Sequence, residues 1–333
     1  MIVRGRKIAI IGGAGFIGHS LALTLASRGA DVEVIDSLQV NNLLSLSTTP
    51  AENDADRSLY LRIVNRRLDR LRAAEIPLFP VDARDYQVLG RVLSHVKPQV
   101  VVHLAAVAHA GHSNKDPYST FDHSLRTLEN ALDSVRGYAE QFVYFSSSMV
   151  YGNFQSDEVD EDHPLNPIGI YGALKVGGEK IVIAYQQVFG LPYTILRPSA
   201  LYGPGCVSRR VCQIFIENAL RGEPLRMEGD GAERIDFTYI DDLVDGVFRV
   251  IRNPSAKNQI FNMTQGQARP VREVVDVIRT RIPGVKVERM ERDALRPLRG
   301  TLDIRKAAAI LGYAPRHPIE IGIPKYIDWY LSL

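Results

Sequence analysis

A glycine-rich turn near the start of the chain restricts its fold more than any other feature. Residues 7–11 form a short apolar run with the length and composition of a buried strand, and residues 16–28 have the pattern of a helix. Between them and into the helix stand Gly12, Gly15 and Gly18. Glycine lets the backbone turn tightly and approach a pyrophosphate, which then binds at the helix N-terminus. Strand, turn and helix in this order predict a dinucleotide-binding unit.

A carboxylate follows the second predicted strand. Residues 31–35 form that strand, and Asp36 ends it at about 20 residues beyond the turn. At this place a carboxylate accepts hydrogen bonds from the ribose hydroxyls of NAD and repels the additional phosphate of NADP. Ser37 and Leu38 come next, so no basic residue stands there to bind that phosphate. The sequence therefore predicts NAD as the cofactor.

Strands and helices alternate over the first 197 residues, which predicts an α/β fold with a Rossmann-type doubly wound parallel sheet. The predicted strands are 7–11, 31–35, 77–81, 99–103, 141–146 and 193–197. The predicted helices are 16–28, 85–95, 117–136 and 171–189. After Pro198 the pattern is mixed, with helices near 208–221, 241–252, 270–281 and 319–332 and strands near 258–262 and 285–289. We expect an NAD-binding domain at 1–197 and a smaller mixed α/β substrate lobe at 198–333, with some segments returning to the first domain.

Residues 37–76 interrupt the simple alternation. Residues 41–56 are polar, and residues 57–75 have the pattern of a charged helix. One interpretation is a surface insertion that covers the sheet edge. The other is a lid or subunit contact near the adenosine end of the cofactor, because long loops are often functional.

Tyr171 and Lys175 stand one helical turn apart. This spacing puts both side chains on one face of a helix, so the ammonium can approach the phenol. A free tyrosine has a pKa of about 10, and nearby positive charge lowers it toward the range of a useful base at neutral pH. Three serines, Ser146–Ser148, precede the pair after an apolar strand. By itself the pair also fits a surface tyrosine and lysine on an ordinary helix.

Together these residues resemble the extended short-chain dehydrogenase/reductase family, in its branch of NAD-dependent nucleotide-sugar epimerases and dehydratases. The resemblance runs over nearly the whole chain. Its further segments are Val81–Asp85, Val102–Ala106, Phe145–Gly152, Leu196–Gly205, Glu228–Gly231 and Asp236–Asp242. Several are weak individually, but their order and spacing are specific together.

The resemblance implies roles for individual residues. Tyr171 would be the acid/base that takes a proton from a sugar hydroxyl, Lys175 would bind the nicotinamide ribose and lower the pKa of Tyr171, and Ser147 would hydrogen-bond the same hydroxyl. Asp82 would contact the adenine amino group. The full set expected to contact NAD is Gly12, Gly15, Phe16, Ile17, Gly18, Asp36, Asp82, Ala83, Leu104, Ala105, Ala106, Tyr171 and Lys175.

The two residues after Ser147 favour one reaction subtype. Dehydrating family members have Asp and Glu at these positions, and decarboxylating members keep the Glu, whereas this chain has Ser148 and Met149. The remaining set of Ser147, Tyr171 and Lys175 suffices for reversible oxidation at one carbon. It suits a 4-epimerase of a UDP-hexose or UDP-hexuronate that works through a transient 4-keto intermediate. The alternatives are a dehydratase or reductase of the same family and, in a different class, a regulatory protein that binds NAD without turnover.

The substrate side departs from the family pattern. Ala200, Ile235 and His123 stand where family members often have Asn, Arg and Asn, respectively. Arginines elsewhere in the lobe could bind a diphosphate through their planar donors; they are Arg209, Arg210, Arg234, Arg292, Arg296 and Arg299. The residues predicted to contact the substrate are Ser147, Ser148, Met149, His109, Arg209, Arg234 and Arg296.

Composition agrees with an enzyme that binds small molecules. The net charge of +2 gives no reason to expect nucleic acid or a membrane as partner, and the start of the chain lacks a secretory signal. Two cysteines suggest neither a disulfide framework nor a metal site. We expect a cytoplasmic protein whose partner is a nucleotide-diphosphate sugar. The resemblance implies a homodimer through helices 117–136 and 171–189, with Ile181, Ile183, Ala184 and Val188 as apolar contacts.

Overall fold

A seven-stranded parallel sheet forms the centre of the molecule. The structure, a computed structural model, describes residues 3–48, 54–107, 110–293 and 295–333. The sheet has the strand order β12-β7-β5-β4-β1-β2-β3, and every neighbouring pair is parallel. Its strands are β1 (Lys7–Ile11), β2 (Asp31–Ile35), β3 (Leu78–Phe79), β4 (Val100–His103), β5 (Gln141–Phe145), β7 (Tyr193–Arg197) and β12 (Gln259–Asn262). This confirms the predicted doubly wound α/β fold.

Both faces of the sheet are buried, because successive side chains of a strand point to opposite sides. In β1, Ile8 and Ile10 belong to one apolar core, whereas Ala9 and Ile11 belong to the other. The first core also contains residues of α1, α3 and α10, and the second contains residues of α4, α7 and α8. The near-continuous apolar strands of the sequence are explained by these two cores.

Thirteen α-helices are present in the described part of the chain. The first seven are α1 (Phe16–Ser27), α2 (Leu43–Thr48), α3 (Asp54–Ala73), α4 (Tyr86–Val96), α5 (Ala110–Lys115), α6 (Pro117–Phe121) and α7 (Thr127–Val135). The remaining six are α8 (Gly169–Phe189), α9 (Val211–Arg221), α10 (Ile240–Arg252), α11 (Val271–Arg281), α12 (Arg305–Leu311) and α13 (Ile319–Leu331). Among these residues, no helix combines the length and the apolar character that a membrane crossing requires.

Four two-stranded sheets complete the fold, and all their strands except the first lie after residue 198. Their strands are β6 (Glu158–Val159), β8 (Leu201–Tyr202), β9 (Leu225–Glu228), β10 (Arg234–Asp236), β11 (Thr238–Tyr239), β13 (Ala268–Pro270), β14 (Val287–Met290) and β15 (Thr301–Leu302). They pair as β10 with β13, β11 with β8, β14 with β9, and β15 with β6. The strand β12, although it follows residue 198, pairs with β7 in the central sheet.

Two predicted elements differ from the structure. The single helix expected over 117–136 consists of α6, a π-helical turn at Asp122–Arg126, and α7. The strand expected at 77–81 pairs only over Leu78–Phe79, because β3 lies at the edge of the sheet. The charged helix expected at 57–75 is present as α3, which begins three residues earlier, at Asp54.

Candidate active site

The carboxyl ends of β1 and β4 open into a cleft. In the sheet, β1 lies between β2 and β4, so the strand order reverses direction at β1. Ligands of open α/β sheets bind at the carboxyl ends of the strands at such a switch point. The predicted cofactor contacts that line this cleft, hereafter the cofactor cleft, are Gly12, Gly15, Phe16, Ile17, Gly18, Asp36, Asp82, Ala83, Leu104, Ala105 and Ala106. Tyr171 and Lys175 are not among its lining residues.

The glycine turn leaves no room for side chains. Gly12 has a φ of +82°, and a Cβ on it would lie 2.8 Å from the backbone nitrogen of Ala105. A Cβ on Gly18 would lie 2.5 Å from the Cα of Gly13. The turn therefore brings the first N–H groups of α1 to the cleft, where they are free of helical partners and suit a pyrophosphate. On this observation the residues present fit a dinucleotide.

Asp36 stands at the carboxyl end of β2. One carboxylate oxygen accepts the N–H of Ala14 at 2.9 Å and the other accepts the N–H of Leu38 at 2.7 Å. Burial raises the pKa of Asp36, while these two hydrogen bonds act in the opposite direction. The backbone thus fixes a carboxylate at the cleft wall, with lone pairs left over for ribose hydroxyls.

Asp82 also lines the cofactor cleft, but its carboxylate is already engaged. Arg84 donates to both oxygens at 2.6–3.1 Å, and Gln39 donates to one of them at 3.3 Å. Burial alone would raise the pKa of Asp82, but the hydrogen bonds from Arg84 outweigh it and the pKa is lowered. The predicted contact with adenine would have to share this carboxylate with Arg84.

Ser147, Tyr171 and Lys175 come together at the start of α8 and the end of β5. Ser147 hydrogen-bonds the Tyr171 phenol. The Lys175 ammonium donates to the carbonyl of Phe145 at 2.6 Å and lies 5.9 Å from the centroid of the Tyr171 ring. The helical spacing read from the sequence therefore does place the lysine beside the tyrosine, with its ammonium anchored to the backbone of β5.

The charge that acts most on the Tyr171 phenol is that of Arg210. Burial raises the pKa of Tyr171, and the groups that lower it are Arg210 first and then Ser147. Lys175 is not among these groups, and its ammonium donates to the Phe145 carbonyl. Burial also lowers the pKa of Lys175 to about 8. Arg210 was noted in the sequence only as one of several phosphate-binding candidates.

A buried ion pair has one of its partners on α8, the helix that carries Tyr171 and Lys175. Glu179, one turn after Lys175, receives two hydrogen bonds from Arg197 at 2.9 and 2.7 Å, and a third from Ser146 at 2.5 Å. Both charged side chains are almost fully buried. The pair ties α8 to β7, and the sequence contained no signal for it because the partners belong to different elements.

A second cleft adjoins the first, and all its lining residues lie between Ala200 and Arg299. Its wall contains the predicted substrate residues Arg209 and Arg296, together with the altered positions Ala200 and Ile235. Arg210 lines both clefts and so marks their junction. We call this second space the substrate cleft.

The arginines of the substrate cleft already have carboxylate partners. Arg209 pairs with Asp56 at 2.9 Å, and Arg296 pairs with Glu228 at 2.8 Å. These pairs are partly exposed, so an anionic ligand can compete for the guanidinium groups. Arg299, which also lines this cleft, pairs with Glu233 at 3.4 Å.

Other predicted substrate residues lie elsewhere. Arg234 is exposed and donates to the carbonyl of Ala268, while its neighbour Ile235 is buried at the substrate cleft, because adjacent residues of β10 point to opposite sides. Ser148 is buried and Met149 half-buried in the turn after β5. His123 lines the cofactor cleft, with its Nδ1 2.9 Å from the Ser119 carbonyl.

His109 lies outside the described residues, as does the side chain of His112. Across the described ranges, no group of three or more His, Cys, Asp or Glu side chains could hold a metal ion. Cys206 and Cys212 are buried free thiols.

Comparison with known proteins assigns the chain to a family. Residues 8–264 match the model of the NAD dependent epimerase/dehydratase family. An uncharacterized UDP-glucose epimerase of Bacillus subtilis is 32% identical, over 98% of this chain and 98% of its own. UDP-glucuronate 4-epimerase 1 of Arabidopsis thaliana is 28% identical, over 98% of this chain and 77% of its own. The crystal structure of a UDP-glucose 4-epimerase from Thermotoga maritima with UDP-glucose has a TM-score of 0.83 and 26% identity, over 98% of this chain and 99% of that one.

The chain belongs to the NAD dependent epimerase/dehydratase family. It is therefore an enzyme of the extended short-chain dehydrogenase/reductase class, and its cofactor is NAD.

Proposed function

We propose that the protein is a 4-epimerase of a UDP-hexose or UDP-hexuronate. The observation that carries this proposal is the surroundings of Tyr171, which lies with Ser147 and Lys175 and near an arginine at the junction of the two clefts. Burial raises the pKa of Tyr171, whereas Arg210 and Ser147 lower it. Elimination of water or of carbon dioxide needs a further acid or base, and Ser148 and Met149 supply none.

The residues of the chain account for both proton transfers of an epimerisation. Bound NAD supplies a reversible hydride acceptor. As the hydrogen at C4 leaves as a hydride, Tyr171 takes the proton of the 4-hydroxyl group, and Ser147 hydrogen-bonds the same oxygen. As the hydride returns to C4 on the other face of the 4-keto sugar, Tyr171 gives the proton back to the C4 oxygen, which becomes the new hydroxyl group. No net oxidation occurs, so one bound cofactor serves many turnovers.

Opposite effects adjust the basicity of Tyr171. Burial keeps the phenol protonated, whereas the Arg210 guanidinium and the Ser147 hydroxyl favour the phenolate. Because Arg210 lines both clefts, an anionic substrate that draws on this charge changes the proton affinity of Tyr171 as it binds. The same arginine can thus couple substrate binding to catalysis.

The substrate cleft supports a nucleotide diphosphate as the handle of the sugar. Arg209 and Arg296 reach it from two segments that are far apart in the sequence, and a guanidinium group can donate two hydrogen bonds to a phosphate. The relatives named as UDP-glucose and UDP-glucuronate epimerases agree with a uridine nucleotide. A cytoplasmic homodimer with a role in carbohydrate biosynthesis is part of the same proposal.

The test is to incubate the purified chain with UDP-glucose and with UDP-glucuronate, and to follow the sugar nucleotides by NMR. We expect the C4 epimer of one of them to appear without net NADH. A stable 4-keto product formed with loss of water would instead identify a dehydratase, and stoichiometric NADH would identify a dehydrogenase.

Tyr171→Phe is the matching variant. It removes the phenol and keeps the ring, so turnover should fall by at least about 100-fold while NAD stays bound. Tyr185→Phe, on the same helix, serves as the control and should keep wild-type turnover. Retained activity in Tyr171→Phe would contradict the assigned role.

A further inference from the structure

Arg67 is a buried cation in the wall of the cofactor cleft. It lies on α3, within the 37–76 segment, and its side chain is among the largest that are fully buried in the structure. The same wall contains Gly15, at the start of α1, and Asp36. A long helix outside the Rossmann pattern thus contributes a charged group to the site of the dinucleotide.

This guanidinium has unused donor capacity. Its Nε and Nη2 both donate to a single acceptor, the carbonyl of Gly205, with Nε at 2.8 Å. Its Nη1 is buried and finds no acceptor among the residues that the structure describes. Burial lowers the pKa of Arg67 to about 10, so the group is still charged at neutral pH.

No carboxylate in the described ranges forms an ion pair with Arg67. The carboxylate among the groups that act on its charge is Asp36, whose oxygens already accept the N–H groups of Ala14 and Leu38. A buried charge is costly unless a partner compensates it. An anionic ligand that binds in the cofactor cleft would compensate the buried charge of Arg67.

The surroundings of Arg67 locate it at the pyrophosphate end of the cleft. The His19 ring hydrogen-bonds the carbonyl of Gly15 at 3.0 Å, and its Cε1 lies 2.9 Å from where a Cβ of Gly205 would be. Arg67 contacts the same Gly205. Burial lowers the pKa of His19 to about 3, so this ring stays neutral and Arg67 is the buried cation here.

Two independent features thus meet at one place, the free N–H groups of the first turn of α1 and a buried arginine with an unpaired donor. We infer that Arg67 binds the pyrophosphate of NAD, and that the 37–76 segment exists in part to deliver it. The inference rests on NAD being the cofactor and not on the identity of the sugar nucleotide.

Two other phosphate groups could in principle bind Arg67, the 2′-phosphate of NADP and the diphosphate of the sugar nucleotide. The 2′-phosphate of NADP would have to approach Asp36, which disfavours it. The diphosphate of the sugar nucleotide binds, in our proposal, in the substrate cleft, and Arg67 is not among the residues lining that cleft. The pyrophosphate of NAD is therefore the assignment to test.

The experiment compares ligands with and without phosphate on the full-length chain freed of nucleotide. Arg67→Met removes the charge and keeps an unbranched side chain, and Arg66→Met, at the exposed neighbouring position on α3, is the matched control. Calorimetry measures the dissociation constants of NAD, NADP, adenosine and UDP for each protein.

We expect Arg67→Met to weaken NAD binding by about 10- to 100-fold while adenosine and UDP bind as in the wild type, and Arg66→Met to change none of them. Equal losses for NAD and adenosine would reduce Arg67 to a structural role. An unchanged affinity for NAD would overturn the inference, and a loss confined to NADP or to UDP would reassign the arginine to that ligand.

Arg67→Lys covers the case in which Arg67→Met fails to fold. Lysine keeps the charge but not the planar fork, so NAD should bind more weakly than to the wild type, with adenosine unaffected. A parallel loss of both ligands would again refute the inference. Because no sugar nucleotide turnover is measured, a failure of the proposed epimerase activity would leave this result interpretable.

Discussion

Ala200 has a backbone conformation that alanine rarely adopts. Its φ is +37°, and its side chain lies at the substrate cleft where family members often carry Asn. Asparagine tolerates this left-handed region better than alanine does. Ala200→Asn should therefore raise the free energy of unfolding by about 0.5–1 kcal/mol and add an amide to the cleft wall.

Urea denaturation measures this change, with Ala308→Asn on the exposed side of α12 as the control. The control has a helical backbone, so asparagine should lower its stability by about half a kcal/mol. A lower KM for the sugar nucleotide in Ala200→Asn would show that the amide contacts the substrate. A loss of stability at Ala200 would contradict the strain argument.

His103 makes stability depend on pH. Burial lowers its pKa from 6.5 to about 3, with the charge of Lys175 acting in the same direction. The folded pKa is below the unfolded one, so this stability is complete above pH 6.5 and is lost as the pH falls toward 3. At pH 5, about 1.5 units below the unfolded pKa, the loss is about 2 kcal/mol.

His103→Gln removes the titrating group from β4. Between pH 7.5 and pH 5, the free energy of unfolding should fall by about 2 kcal/mol less in this variant than in the wild type. His19, whose pKa is also lowered to about 3, is present in both proteins and cancels in the comparison. Identical pH dependence of the two proteins would mean that His103 has the same pKa in the folded protein as in the unfolded chain.

At the scale of elements, the join between α8 and β7 depends on the ion pair of Glu179 and Arg197. Both side chains are nearly inaccessible to solvent, so removing one charge leaves the other uncompensated. Glu179→Gln should lower the free energy of unfolding by about 3 kcal/mol or more. Because α8 carries Tyr171 and Lys175, turnover should fall as well.

Two comparisons show whether the uncompensated charge is the cause. The double variant Glu179→Gln with Arg197→Met should recover part of the lost stability. Asp69→Asn, which breaks the exposed pair with Arg72 on α3, should change stability by less than about 0.5 kcal/mol. A double variant with a lower free energy of unfolding than Glu179→Gln would contradict the ion-pair argument.

At the scale of the whole molecule, α6 and α8 expose apolar side chains that suit a second copy. Tyr118, Phe121, Val188 and Phe189 are exposed on these helices. Of the residues expected at a dimer contact, Ala184 and Val188 are exposed, whereas Ile181 and Ile183 pack against the core of their own chain. A dimer would thus rest on the outer face of α8.

Light scattering after size-exclusion chromatography tests this. We expect twice the mass of one chain for the wild type and for Leu220→Glu, which changes an exposed residue of α9. Val188→Glu should shift the mass toward the monomer, since it puts a charge into an apolar contact. A wild-type protein with the mass of one chain would refute the homodimer.

Much of the fold and part of the site could be predicted because their signals are local. The turn at 12–18 requires glycine for steric reasons that involve residues adjacent in sequence, and Asp36 follows directly from the end of its strand. Helical periodicity alone put Lys175 beside Tyr171. The prediction of a single helix over 117–136 was less accurate, because a π-helical turn depends on packing against distant elements.

The sequence by itself determined the doubly wound sheet and the cofactor, since each follows from short-range chemistry and spacing. Only the tertiary structure decided which charges meet. It brings Arg67 to Gly205, places Arg210 near Tyr171 and pairs Glu179 with Arg197. Each of these contacts joins separate elements, and a periodic pattern specifies which side of an element is buried but not the group that it meets there.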